Sequence, residues 1–126
     1  MKQKIDRKAV YDKYKGHCAY CGEEIKYKNM QVDHIRSKHS YKFGRRDQIP
    51  EYDVDDIRNL NPSCRMCNYY KHSFSLEGFR KEIMFMQKRF LKIFIVRLAI
   101  KYGMIVVKEW NGLFYFERIQ KLKRTK

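Results

Sequence analysis

Cys18-Ala-Tyr-Cys21 and Cys64-Arg-Met-Cys67 form two Cys-x-x-Cys pairs that bracket an Asp33-His34 dyad. Each pair can chelate one edge of a tetrahedron from a tight turn, so the four thiolates suit one structural zinc. Disulfides are the rival chemistry. Met1-Lys2-Gln3-Lys4-Ile5-Asp6 contains no apolar export segment, and the reducing cytoplasm this predicts favours metal over disulfide. The dyad calls for different chemistry. An unprotonated His34 can take a proton from water, and Asp33 offers oxygen to a hard cation. Asn68, directly after the last cysteine, offers a second oxygen.

Charge narrows the class of partner. Lysine and arginine number 29 against 14 acids, a net charge of +15 on 126 residues, with a pI near 9.8. That imbalance predicts a polyanionic partner, nucleic acid first. The most apolar stretch, Phe90 to Ile100, is broken by Lys92 and Arg97 and is too short for a bilayer, so no membrane partner is expected.

Several elements must position these groups. Asp6 is placed to cap a helix running to about Tyr14, with Gly16 to end it. Glu24 to Ile35 reads as two short strands around Lys28-Asn29. In the second strand, alternation sends His34 to one face and Asp33 to the other. Residues 36–57 form a long polar loop. Ser63 is expected to cap a helix carrying Cys67, Asn68, Lys71 and His72, with Asn68 and His72 on one face. Beyond Ser75, a helix toward Phe90 with Phe79, Ile83, Met86 and Phe90 as its buried stripe is followed by a helix over about Leu91 to Tyr102. Met104 to Lys108 and Leu113 to Glu117, separated by Asn111-Gly112, read as a β-hairpin, and Lys121 to Lys126 as a basic tail. The expected class is α+β in two parts, 1–75 and 76–126.

Read as one string, Cys-x-x-Cys, Asp33-His34-Ile35, Asn59-Leu60 and Cys-x-x-Cys-Asn68-x-x-Lys71 resemble the HNH family of metal-dependent nucleases over about residues 17–72. The resemblance implies a ββα-metal core stapled by zinc at the four cysteines, with a helical and hairpin accessory region after it. It implies hydrolysis of DNA phosphodiester bonds to a 5′-phosphate and a 3′-hydroxyl. The catalytic set would be His34 as general base, Asn59 fixing the strand that carries it, and Asn68. Magnesium or manganese would sit at Asp33 and Asn68, with His72 as a further ligand. Lys38, Arg45, Arg46 and Lys71 are the expected nucleic-acid contacts. Double-stranded DNA is the expected partner, with a second copy of the chain or a phage packaging complex as further candidates. A phage-encoded protein acting in the host cytoplasm is the expected setting. Two rivals stay open: a non-catalytic zinc-dependent DNA-binding module, and a ribonuclease using the same chemistry. One departure from the family stands out, since Arg36-Ser37-Lys38-His39 replaces the usual Pro and Gly-rich stretch after the dyad.

Overall fold

A computed structural model describes residues 4–124; Met1 to Gln3 and the tail residues Thr125 and Lys126 lie outside the described residues. Asp6 caps helix α1 (Arg7–Asp12) by accepting from the Ala9 amide at 3.1 Å. The helix stops short of Tyr14 because Lys15 and Gly16 turn to positive φ. The Lys13 ammonium then ties this corner to the sheet, donating to the Ile57 carbonyl at 2.9 Å and the Leu60 carbonyl at 2.7 Å.

The sheet has two strands, β1 (Gln31–His34) and β2 (Leu60–Ser63), antiparallel with Asp33 opposite Asn61 and His34 opposite Leu60. The two strands expected between Glu24 and Ile35 are therefore one. Its partner comes from the far side of the long loop, while Tyr27–Asn29 is a 3₁₀ turn and Glu24 makes only a bridge to His17. That loop contains helix α2 (Lys38–Phe43), capped by the Ser37 hydroxyl.

Helix α3 (Arg65–Lys71) follows β2 directly. Its cap is Cys64 rather than Ser63, because Ser63 still pairs in the strand and the Cys64 sulfur accepts from the Cys67 amide at 3.4 Å. The helix also ends before His72, which takes φ 52° as its C-cap. Helix α1 packs on β2, and α3 packs on β1. A first apolar cluster, Val10, Met30 and Leu60, joins α1 to the sheet.

Ser75 caps α4 (Leu76–Phe90), and α5 (Phe94–Lys101) is shorter than its apolar pattern suggested. Only Phe79 of the α4 stripe is fully buried, and Met86 is exposed. The expected hairpin does not form: Tyr115–Arg124 is helix α6. Glu117 supports the helix from within, since its carboxylate accepts from the Phe114 amide at 2.9 Å, as the third residue of a capping box does. The same carboxylate pairs with Arg80 of α4 at 2.7 Å. Phe114 and Phe116 consequently enter a second core with Cys18, Ala19, Tyr20, Cys64 and Phe79. Backbone bonds from Tyr115 to the Tyr20 carbonyl (3.1 Å) and from Phe116 to the Ala19 carbonyl (2.8 Å) fasten this segment to the first cysteine turn. Each buried phenylalanine contributes about 1.5–3 kcal/mol by burial. Phe94, Ile95, Tyr102, Met104 and Val106 remain exposed. Among the described residues, no helix is long and apolar enough to cross a membrane.

Candidate metal centre and active site

The first cysteine turn is closed by the Gly22 amide donating to the Cys18 carbonyl (3.0 Å) and the Cys18 amide donating to the Glu23 carbonyl (2.8 Å). Gly22 sits at φ +82°, and a Cβ there would lie 2.8 Å from the Tyr115 ring, so this position admits only glycine without strain. The second turn is the start of α3. Together they bring the ligand atoms of Cys18, Cys21, Cys64 and Cys67 within 4.8 Å of one another. The Cys21 and Cys64 sulfurs stand 3.9 Å apart. A tetrahedron with Zn–S arms of about 2.3 Å has edges of about 3.8 Å, so the four thiols fit such an ion. Hydrogen bonds from Cys21 and Cys67 hold the Cys18 thiol far below its ordinary value, while bonding to Cys18 pushes Cys21 up to about 12 and Cys67 upward too. A metal bound here takes thiolates, so its binding displaces the protons held on Cys21 and Cys67.

Asp33 and His34 point to opposite sides of β1. Asp33 is 4 % exposed and enters a closed polar cluster. It accepts a short hydrogen bond from the Tyr20 hydroxyl and pairs with the Lys71 ammonium at 3.2 Å. Asn61, opposite on β2, donates to the Tyr20 hydroxyl at 3.4 Å. Burial pushes the Asp33 carboxyl above its ordinary value, against the opposing pull of Lys71 and Tyr20. Lys71 is 0 % exposed, and its ammonium also donates to the His34 carbonyl (3.0 Å) and the Ile35 carbonyl (3.5 Å). In place of the surface phosphate contact expected from sequence, Lys71 is an internal cation that ties α3 to β1.

His34 faces the loop. Its Nε2 lies 2.8 Å from Asp55 Oδ1, with the two side chains 18 % and 13 % exposed. Its Nδ1 has no hydrogen-bond partner among the described residues. Asn59 is buried and clasps backbone on both sides of the loop. It accepts from the Arg36 amide (2.9 Å) and donates to the carbonyls of Arg36 (3.0 Å) and Val54 (2.8 Å). Asn68 is half-buried on α3, one turn before Lys71, with no side-chain hydrogen bond among the described residues. His72 is exposed and turned to its own neighbour, accepting from the Ser73 amide at 2.9 Å, so it does not share a helical face with Asn68. Lys38, Arg45 and Arg46 are exposed along α2 and the following turn, and Arg45 pairs with Asp47.

A hard divalent cation fits this set incompletely. The Asn68 amide oxygen has no partner among the described residues, but the Asp33 carboxylate is buried against an ammonium, and a second cation would have to displace Lys71 from it. Sequence reading missed two residues. Tyr20 lies inside a Cys-x-x-Cys spacing that signals only its cysteines. Asp55 is one acid among Asp47, Glu51, Asp53, Asp55 and Asp56, and no local pattern distinguishes it.

A mixed α+β arrangement of two antiparallel strands and a helix, with four clustered cysteines, is the frame of an HNH domain. Residues 18–74 match the family model described as HNH endonuclease. Over 120 residues the chain is 30 % identical to a protein of Bacillus subtilis (strain 168) named "SPbeta prophage-derived putative HNH endonuclease YoqL". That alignment takes in 91 % of this chain but 44 % of the relative, so the chain spans less than half the relative's length. No solved structure matches the chain significantly. The match of residues 18–74 and the likeness to this relative support an HNH family assignment for that segment.

Proposed function

We propose that this chain is an endonuclease that hydrolyses DNA phosphodiester bonds, with His34 as its general base. The observation that carries the reading is His34 itself, a histidine at the end of β1 in the segment that matches the HNH model, whose Nδ1 has no hydrogen-bond partner among the described residues. Nδ1 takes a proton from a water whose oxygen attacks phosphorus. The bond to the 3′ oxygen breaks, leaving a 5′-phosphate and, once that oxygen is protonated, a 3′-hydroxyl. A divalent cation, magnesium or manganese, would supply charge compensation at the phosphorane and the departing oxygen. Asn68, without a side-chain hydrogen bond among the described residues, would hold it, and Asp33 would be open to it only with Lys71 displaced. Zinc at the four cysteines is structural and holds the first turn to α3.

Double-stranded DNA is the substrate best suited to a +15 chain, and Lys38, Arg45 and Arg46, exposed along α2 and the turn after it, serve as phosphate contacts. Residues 1–75 are the nuclease core and 76–126 the accessory region in this reading. A phage origin is in keeping with the prophage-derived relative, and action in a host cytoplasm follows from that origin in this reading. The closed Asp33–Lys71 pair favours a second reading, a zinc-stapled DNA-binding module without catalysis, because it withholds a carboxylate from any cation.

Plasmid incubation separates the two. The parent should nick or cut with magnesium or manganese and stop with chelator. His34→Ala should lose about 10²–10⁴-fold in rate while still binding DNA. A parent that binds DNA but leaves every plasmid intact refutes the nuclease reading in favour of the binding module.

A further inference from the structure

We propose that Asp55 is the positioning residue of His34, fixing its proton on Nε2 so that Nδ1 is the basic nitrogen. The inference rests on His34 being the base of the proposed reaction. A neutral imidazole carries one N–H and one lone pair, and its hydrogen-bond partner decides which nitrogen has which. An ionised carboxylate only accepts. With Asp55 Oδ1 at 2.8 Å from Nε2, the ring must donate there, and the lone pair falls on Nδ1.

The pairing is sheltered, with both side chains largely out of solvent, so water competes poorly for Nε2. It is also held from behind. The Asp55 amide donates to Asp53 Oδ1 at 2.9 Å, and the carbonyl of the preceding Val54 accepts from the Asn59 amide at 2.8 Å. Asn59 simultaneously clasps both backbone groups of Arg36, two residues after His34. One buried side chain therefore sets the separation between the strand end bearing His34 and the loop bearing Asp55. Neighbouring acids are committed elsewhere: Asp47 pairs with Arg45 and Asp56 with Arg58.

The test reads the tautomer directly. Long-range ¹H–¹⁵N correlation spectra of the full zinc-loaded chain, without magnesium and at one alkaline pH, should show His34 protonated on Nε2. His34→Ala identifies the resonances. In Asp55→Asn, whose amide can donate to Nε2, the population should shift toward Nδ1–H, and plasmid cleavage should fall about 10²–10⁴-fold. The upper figure is that of the same exchange in the serine-protease triad. Asp55→Glu should keep the Nε2–H tautomer and recover part of the rate. A parent His34 protonated on Nδ1, or an Asp55→Asn spectrum identical to the parent's, overturns the proposal. A parent that cleaves no DNA overturns the proposed function instead, and the tautomer still decides whether Asp55 positions the ring.

Discussion

Lys71→Met removes a buried ammonium while keeping most of the volume of its stem, and so isolates one electrostatic contact. In the parent, the ammonium lies 3.2 Å from the Asp33 carboxylate, with the two side chains 1 % and 4 % exposed. It also serves the His34 and Ile35 carbonyls. Removing one member of a buried ion pair leaves the other charged and unsolvated, which costs about 3–5 kcal/mol. Tyr20 still donates to Asp33, which places the expected loss toward the lower end. The assay is guanidinium denaturation of zinc-saturated protein, followed by fluorescence. Asp33→Asn should be destabilising alone, and the double variant should be more stable than the sum of the two single changes predicts. Adding magnesium gives a second arm: it should raise the midpoint of Lys71→Met more than that of the parent, because only the variant leaves Asp33 open to a cation. A loss below about 1 kcal/mol, or strict additivity in the cycle, would refute the internal ion pair.

Metal analysis should find one zinc per folded chain, and Cys64→Ser should lose both the metal and the fold, since structural zinc contributes folding energy outright; folded protein free of zinc would sink the assignment. DNA affinity should fall steeply as salt rises, because a chain of charge +15 releases many counterions, and a flat salt response would contradict this. Burial alone would raise the Glu117 carboxyl, but hydrogen bonds from Arg80 and the Phe114 amide hold it below its ordinary value of 4.5. Its contribution to docking α6 is therefore present above the unfolded pKa and lost as pH falls through the lower folded one. Protection factors over α6, corrected for the intrinsic exchange rate at each pH, should fall as pH drops across that window in the parent, and Arg80→Ala should abolish this added pH dependence.

Local signals in the sequence were enough for the elements whose chemistry is local. The Cys-x-x-Cys spacings define tight turns, period-two alternation separates Asp33 from His34, and Ser75 ahead of an amphipathic run starts α4 where it is observed. The asparagine at position 59 bonds backbone across the loop, as the family resemblance implies. What the sequence could not settle were choices made between distant partners. Leu113 to Glu117 alternates like a strand, yet Glu117 caps a helix because Arg80 of α4 and the core around Tyr20 and Phe79 receive this segment. Lys71 looks like a surface cation on a short helix, and only the packing of α3 on β1 carries its ammonium under Asp33. Asp55 acquires its partner through loop closure, which brings an acid 21 residues from His34 to within 2.8 Å. Spacing along a chain encodes turns and faces. Which buried charge meets which depends on how the elements close on one another, and that is a property of the tertiary structure alone.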